Sequence, residues 1–426
     1  MNPTQKGLVL KRKMVFLSAG VVLLAALYWV YDFSKVRQPP IKVGVLFSLT
    51  GTMAISETAV VDATLLAIKQ INQSGGLLGR QIQPIIVDGK SDWSTFAAEA
   101  ERLIIDEKVS VLFACWTSAC RKTIKPVVEQ YHHLLFYPVQ YEGLESSAHI
   151  VYTGATPNQQ ITPAVSWAIQ NGAKKIFLLG SDYIFPRAAN EIIKDFAYAH
   201  GVDIVAEIYL PLGSQNVAGT IEQIKTSNPD VILNTINGDS NIAFFSALKK
   251  ADITASEIPV ISFSIGEHEL LSLGIENMIG HYASWNYFQT IENKQNRQFI
   301  EDFQQQYGEN RRLNDPMESA FIAVQLWAKS VNEAGTDAVN QVILNLANQS
   351  YKAPGGLVNI ESGSMHLWKT PRIGKINRHA LFDIVWQADK PYQPFPFPIT
   401  RTRTQWLDFL DALYQGYGQQ WAKSEP

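Results

Sequence analysis

Apolar and polar positions follow two alternating periods along most of the chain. Short apolar runs such as IKVGVLF are followed by longer segments whose apolar residues recur at helical spacing, as in TAVVDATLLAIKQIN. The alternation continues through VSVLFAC, LLFYPV, KKIFLLG, DVILNT and PVISFS. Strands this apolar, separated by helices of about ten or more residues, are typical of parallel sheets covered on both faces. The pattern therefore predicts a doubly wound α/β fold.

The alternation of strand and helix patterns is interrupted once in mid-chain and changes again near the end. It stops at VYTGATPNQQ, resumes at Lys174, and after about Trp285 gives way to two long helical patterns and a late β-like segment. The number of predicted strands is larger than a single sheet usually holds. We therefore predict two α/β lobes within residues 41–400. The predicted parts are lobe 1 at about 41–156 and 287–350, lobe 2 at about 157–286 and 351–400, and a C-terminal helical extension at 401–426.

The N-terminal segment KRKMVFLSAGVVLLAALYWVYDF has a different pattern. Its basic residues, Lys11–Lys13, precede an uncharged apolar run, Met14–Val30, which is long enough to span a bilayer. The positive charges place the rest of the chain outside the cytoplasm. A cleaved secretory signal is the alternative, but no convincing small-residue cleavage site follows the run. We predict an uncleaved anchor or transmembrane helix at 1–33, a tether at 34–40 and a periplasmic location for the remainder.

Composition narrows the function classes. The 426 residues are 46% hydrophobic and 18% charged, which suits a globular protein with room for two cores. A net charge of −3 provides no basic field, so we expect no nucleic-acid partner. Cys115 and Cys120 are too few for a disulfide scaffold. Because Cys115 ends a predicted buried strand, we expect two semi-buried thiols, with a small loop disulfide as the alternative.

Catalytic motifs are absent from the sequence. It contains no G-x-S-x-G elbow, no P-loop and no G-x-G-x-x-G fingerprint. His268-Glu269 begins like a zinc-protease helix, but Ser272 stands where that motif requires histidine. We therefore predict a protein that is not an enzyme, with no catalytic residue, no metal site and no cofactor.

The predicted strand ends carry the candidate binding chemistry, because ligands of open α/β sheets bind beyond the carboxyl ends of the strands. The segments at these ends are SLTGTMAISE, CWTSACRK, FYPVQYEG, GSDYIFPR, NTINGDSN and SFSIGEHE. They are rich in hydroxyl, amide and aromatic groups and poor in cationic clusters, which favours a neutral ligand. The candidate ligand-binding residues are Ser48, Thr52, Trp116, Thr117, Ser118, Tyr137 and Tyr183.

The same segments, with DPMESAF and HLWKTPRIGKI, resemble in order the signature segments of the substrate-binding proteins of urea and short-chain amide ABC transporters. They are similar, more loosely, to the amide-sensing regulator of aliphatic amidase expression. The resemblance covers about Ile41 to Trp386. It implies a type I periplasmic binding protein fold, in which two α/β lobes joined by three crossovers close on the ligand. It also implies ABC permease subunits as partners.

The resemblance assigns site positions. In the amide regulator, a tyrosine and a serine follow the third strand, a tyrosine and a threonine follow the fourth, and a further tyrosine comes from the second lobe. The matching positions here are Trp116 and Ser118, Tyr137 and Val139, and Tyr183. Trp116 and Val139 depart from the regulator and match the urea branch, which favours urea over acetamide.

A selective site for urea must satisfy one carbonyl oxygen and four N–H groups on a flat frame. We expect Ser118 and backbone NH groups to donate to the carbonyl, and Trp116 to stack on the plane. Tyr183, from the opposite lobe, would engage only on closure. The expected acceptors are Tyr137, Gln140 and Asp239, and Asn237 is a candidate from the same junction as Asp239.

The sequence therefore predicts an extracytoplasmic protein that captures urea or a short-chain amide for ABC-transporter uptake. The alternative is a membrane-anchored sensor for the same ligands that signals to a regulatory partner. The expected partners are a small neutral ligand, ABC permease subunits and the membrane, through the N-terminal helix.

Overall fold

The computed structural model describes residues 39–347 and 349–423. The predicted anchor at residues 1–33 and most of the predicted tether lie outside this range. Within the part of the chain that is described, none of the helices has the length and apolar character to cross a bilayer.

Five parallel strands form the sheet of lobe 1, in the order β2-β1-β3-β4-β5. The strands are β1 Ile41–Phe47, β2 Ile82–Asp88, β3 Leu112–Ala114, β4 Leu135–Tyr137 and β5 Ile150–Tyr152. The connecting helices are α1 Ala54–Gln73, α2 Trp93–Ile105 and α3 Ser118–Gln130. Strand β1 is almost wholly buried, as a parallel strand covered on both faces should be.

The chain then enters lobe 2 and builds a second series of parallel strands. These strands are β6 Lys175–Ser181, β7 Asp203–Leu210, β8 Val231–Thr235, β9 Val260–Ser262 and β10 Tyr282–Trp285. The helices are α4 Ile161–Gln170, α5 Ile184–Ala199, α6 Ala218–Ser227, α7 Ser240–Lys250 and α8 Glu267–Leu273, with 3-10 turns at Pro157–Gln159 and Ile275–Asn277. Two hydrophobic clusters cover the sheet of this lobe.

The chain next returns to lobe 1. It forms helices α9 Lys294–Tyr307, α10 Asp315–Ala334 and α11 Val339–Leu344, and a small antiparallel sheet of β11 Ser350–Ala353, β12 Gly356–Ile360 and β13 Leu367–Trp368. Val358, Ile360 and Leu367 of this sheet belong to the same hydrophobic core as β1 and α10. Residues 350–368 therefore pack with lobe 1, which differs from their predicted place in lobe 2.

The last strands complete the sheet of lobe 2. Strands β14 Arg372–Ile376 and β15 Phe382–Gln387 add to β10 antiparallel, giving the order β15-β14-β10-β9-β8-β6-β7. Helix α12, Arg403–Gly416, follows. The chain passes between the lobes after β5, after β10 and after β13, so the two-lobed α/β fold with three crossovers is confirmed.

Candidate functional site

The junctions after β3 and β8 meet across the cleft between the lobes. Trp116 follows β3 and is buried, and its indole Nε1 donates a hydrogen bond to Asn237 Oδ1 at 3.1 Å. The Asn237 amide donates to Ser181 Oγ, at the end of β6, at 3.1 Å. The structure thus brings together Trp116 and Asn237, two predicted site residues that lie on different lobes.

The loop after β1 makes a second contact between the lobes. Thr52 Oγ1 donates to Asp239 Oδ1 at 2.5 Å. Ser48 is buried, and its Oγ accepts a hydrogen bond from the Ser91 amide at 3.0 Å. The predicted hydroxyls of this loop therefore hold the loop in shape and hold the lobes together.

Gln140, after β4, makes a third interlobe contact. Its Nε2 donates to the carbonyl oxygen of Phe263, in the junction after β9, at 2.7 Å. Its Oε1 is buried and has no hydrogen-bond partner among the described residues. Because a buried polar atom without a partner is costly, this acceptor is available to a ligand donor.

Cys115 and Cys120 form a disulfide, so the expectation of two thiols is wrong. Thr117 caps helix α3 by accepting a hydrogen bond from the Cys120 amide at 3.1 Å. The Cys115 backbone has φ of +70°, and this turn brings the two Cα atoms to 5.7 Å, within disulfide range. Hydrophobic periodicity carries no information on such a turn. The disulfide and the cap together fix the loop that carries Trp116.

A buried ion cluster, which no sequence pattern predicted, lies behind this loop. Arg121 donates to Glu142 Oε1 and to Glu145 Oε1, each at 2.8 Å, and Lys122 Nζ lies 2.7 Å from Glu145 Oε2. Burial opposes the charge of Arg121, but Glu145 and Glu142 outweigh it and raise the pKa of Arg121 well above its usual value. The two cations are thereby paired with two carboxylates. The CWTSACRK segment contains the basic residues, but no spacing rule links them to Glu142 or Glu145.

Ser118 is part of this cluster. Its hydroxyl donates to the Glu142 carboxylate and accepts from Arg121 Nη1 at 3.0 Å. The proton that we expected Ser118 to donate to a ligand carbonyl therefore goes to Glu142. The Tyr137 hydroxyl donates to the Trp116 carbonyl oxygen at 2.6 Å, so the Tyr137 oxygen can still accept, and its role toward a ligand stays a prediction.

Val139 lies at a close approach between two backbone segments. A Cβ placed on Gly154 would come within 2.1 Å of the Val139 carbonyl carbon and oxygen. The neighbouring Tyr141 amide donates to the Ala155 carbonyl oxygen at 3.1 Å. The loops after β4 and β5 therefore pack closely against each other at Val139. Contact of Val139 with a ligand stays a prediction.

Tyr183 faces lobe 1 from the N-terminus of helix α5. The side chain is buried and makes no capping hydrogen bond to the helix. Burial raises the pKa of Tyr183 well above its usual value, and the nearby charges of Tyr137 and Glu142 add to the rise. Tyr137 and Glu142 of lobe 1 therefore lie close enough to influence Tyr183, whose engagement of a ligand stays a prediction.

Glu57, in the first turn of α1, is a candidate that sequence reasoning missed. Its side chain is buried, and Oε2 accepts a hydrogen bond from the Ser48 amide at 2.6 Å. Oε1 is buried and has no partner among the described residues. Burial raises the pKa of Glu57 to about 8, and the Asp88 charge contributes in the same direction. The only sequence signal was a carboxylate at the end of the otherwise uncharged SLTGTMAISE.

The buried polar groups of lobe 1 beside the cleft differ in whether they can donate or accept hydrogen bonds. Because burial raises the pKa of Glu57 to about 8, its carboxyl is mostly protonated at neutral pH, and Oε1, the oxygen that does not accept from Ser48, is the one able to donate. Lobe 1 thus holds two buried side-chain oxygens without a partner among the described residues, one on Glu57 and one on Gln140, while Arg121 and Lys122 are paired with carboxylates. In the described residues, no three His, Cys, Asp or Glu side chains form a group able to hold a metal ion.

Comparison with known proteins identifies a family. The family profile described as "Periplasmic binding protein domain" matches residues 41–403. "Leu/Ile/Val-binding protein homolog 6" of Brucella melitensis is 23% identical over 341 residues, which cover 77% of this chain and 85% of that protein. A second curated relative, "Limonene hydroxylase" of Geobacillus stearothermophilus, is 28% identical over 124 residues. That match covers 29% of this chain and only 23% of the hydroxylase.

A solved structure shows the same fold. The solute-binding protein of an ABC transporter from R. palustris, in complex with 4-hydroxybenzoate, superposes with a TM-score of 0.75 and 20% identity. The match covers 82% of this chain and 97% of the R. palustris chain.

Proposed function

The chain belongs to the periplasmic binding protein domain family, and we propose that it is an extracytoplasmic solute-binding protein that captures urea or a short-chain amide for ABC-transporter uptake. The observation that carries this proposal is the composition of the cleft. Glu57 offers a neutral O–H donor and Gln140 an unpartnered amide oxygen. A ligand that presents both a carbonyl oxygen and N–H groups matches this pair, and amides and urea are the smallest such ligands.

The cleft suits a neutral ligand better than an anion. The R. palustris protein is described with 4-hydroxybenzoate, and the Brucella protein is named for branched-chain amino acids. Burying a carboxylate requires a cation or several strong donors. Here Arg121 is paired with Glu142 and Glu145 and is therefore not free to bind one.

The disulfide supports an extracytoplasmic location. Structural disulfides persist in oxidising compartments and are rare in the cytosol. The Cys115–Cys120 bond lies in the loop that carries Trp116, so an oxidising environment keeps this part of the cleft fixed. Uptake is preferred to the sensor alternative because the R. palustris relative is described as a component of an ABC transporter.

Capture would proceed by closure of the lobes on the ligand. The contacts of Trp116 with Asn237, of Thr52 with Asp239 and of Gln140 with the Phe263 carbonyl oxygen all join the two lobes. A ligand that binds both lobes stabilises this closed arrangement over the open one. At a ceiling of about 1.5 kcal/mol per heavy atom, urea reaches about 6 kcal/mol, a Kd of roughly tens of micromolar.

A thermal-shift panel tests the proposed ligand class. The full-length protein, purified in a mild detergent, is melted with urea, formamide, acetamide, 4-hydroxybenzoate or isoleucine. We expect urea or a short amide to raise the melting temperature in a saturable way at millimolar concentration, because binding to the native state alone stabilises it. A rise with 4-hydroxybenzoate or isoleucine, and none with urea or the amides, would overturn the proposal.

A further inference from the structure

The C-terminal segment extends beyond the family match, which ends at residue 403. Helix α12 is fixed to lobe 2 because Trp406 and Leu410 belong to a hydrophobic core of that lobe. Just before the helix, Arg401 bonds Asp195 at 2.7 and 2.8 Å and Glu191 at 2.8 Å. Both carboxylates lie on α5, the helix that begins directly after Tyr183. The extension is therefore docked on the element that carries the cleft tyrosine.

Residues 417–423, which we call the C-terminal clasp, then return to the start of α5. The Trp421 carbonyl oxygen accepts from the Ile184 amide at 3.0 Å, and Ala422 forms an isolated antiparallel bridge with Tyr183. The Tyr417 hydroxyl donates to Asp182 Oδ1 at 2.7 Å. The clasp thus holds Asp182, Tyr183 and Ile184, three consecutive residues centred on the cleft tyrosine.

The clasp also reaches lobe 1. Lys122 Nζ lies 4.7 Å from the centre of the Trp421 ring, within the range of a cation–π contact. Lys122 is bonded to Glu145 and lies on α3, the helix that begins at Ser118. Trp421 therefore links the Tyr183 segment of lobe 2 to the ion cluster of lobe 1.

We propose that Trp421 is a positioning residue for the cleft, and that the clasp orients Tyr183 and slows ligand release by joining the lobes in the closed form. The identity of the ligand rests on the proposed function, whereas the attachment of the clasp does not. Trp421 acts through Tyr183, so its effect on binding depends on the tyrosine hydroxyl.

Ligand dissociation tests this role in the full-length protein. Trp421→Ala keeps the clasp backbone but removes the ring from Lys122, and Tyr198→Ala removes an exposed aromatic ring of α5 as a matched control. We expect Trp421→Ala to speed urea dissociation and raise Kd by about tenfold, with no change for Tyr198→Ala. In a Tyr183→Phe background the same substitution should have a much smaller effect. Equal effects in both backgrounds, or none in either, would contradict the proposal.

Hydrogen exchange gives a readout that needs no ligand. A chain ending at Gly418 lacks the carbonyl that accepts from the Ile184 amide. We expect this amide to exchange at least about tenfold faster in the shortened chain than in the full chain, with unchanged protection in β1. An unchanged exchange rate of the Ile184 amide would contradict the proposed role of the clasp, even if the protein binds urea. If the intact protein binds neither urea nor an amide, the proposed function fails, and this exchange experiment alone decides the clasp.

Discussion

The two carboxyl oxygens of Glu57 differ in their partners, and on this difference we base its proposed role as a donor to the ligand. Oε2 accepts from the Ser48 amide, and Oε1 has no partner among the described residues. Because burial raises its pKa to about 8, the side chain is a neutral acid at pH 7. In the proposed site it takes the donor role that the sequence predicts for Ser118, whose hydroxyl donates to Glu142.

The pH dependence of ligand affinity tests this role of Glu57. Above pH 8 the proton is lost and a carboxylate faces the ligand carbonyl, so urea affinity should fall by up to about tenfold per pH unit. Glu57→Gln should keep most of the affinity and remove the pH dependence, because its NH2 group replaces the O–H donor. Glu57→Ala should lose about tenfold or more. Calorimetric Kd values at pH 6.5 and 9 provide the measurement.

The exposed Glu292 offers a matched control for Glu57. Glu292→Gln should leave both the affinity and its pH dependence unchanged. If Glu57→Gln instead abolishes binding while the wild-type affinity is constant up to pH 9, then Glu57 accepts an N–H as a carboxylate and our assignment is wrong.

The sequence predicted which residues lie between the lobes better than it predicted their hydrogen bonds. Trp116, Asn237, Thr52 and Asp239 are indeed at the cleft, because the carboxyl ends of parallel strands meet there. The role of Ser118 could not be predicted, since it depends on Glu142, a partner 24 residues away that only the fold brings near.

Among the structural elements, the loops after β4 and β5 are held by a backbone contact that excludes any side chain. Gly154 fits against Val139 only because it lacks a Cβ. Gly154→Ala should therefore lower the free energy of unfolding by about 3 kcal/mol, through overpacking at the cleft wall. Gly219, in helix α6, has open space around its Cα, and Gly219→Ala should stabilise by up to about 1 kcal/mol.

Guanidinium chloride unfolding measures both glycine variants. Urea is unsuitable as the denaturant because we propose it as a ligand. Equal stability of Gly154→Ala and the wild type would show that the two loops can separate without cost, contrary to the close approach described above.

Elements with a strong apolar pattern were predictable, and short or connecting elements were not. Strand β1 has the predicted bounds because all of IKVGVLF is compatible with a central buried strand. The small sheet at 350–368 falls in the range predicted for lobe 2, because sequence pattern does not show which core the apolar face of a short strand meets. The Cys115–Cys120 disulfide was only the alternative at the level of sequence, because the geometry of its loop depends on the cap at Thr117.

For the whole molecule, buried acids set the stability at alkaline pH. Burial raises the pKa of Glu57 and Glu267 to about 8 and that of Glu318 to about 7, above about 4.3 in the unfolded chain. The native state therefore binds more protons than the unfolded state, so the free energy of unfolding falls as the pH rises toward 8. Burial lowers the pKa of His281 to about 4 and of His366 to about 3, which makes stability rise with pH only below about 6.5.

The net expectation is a fall in melting temperature between pH 6.5 and 8. Each group contributes up to about 1.4 kcal/mol per pH unit while its native form stays protonated. Glu267→Gln should reduce the slope, because it removes one of these protons and keeps the side-chain oxygen that accepts from Gln289. Scanning calorimetry in a buffer series measures the slope, and a melting temperature that rises across this interval would contradict the assignment.

The central claim is that the closed cleft selects a neutral ligand with both a carbonyl oxygen and N–H groups. Isothermal titration calorimetry of the full-length protein at pH 7, with urea, acetamide, 4-hydroxybenzoate and isoleucine in turn, tests it most directly. We expect a saturable heat for urea or acetamide with one site per chain and a Kd of roughly tens of micromolar or weaker, and no heat for the two carboxylates. Saturable binding of 4-hydroxybenzoate or isoleucine, with none of urea or acetamide, would contradict it.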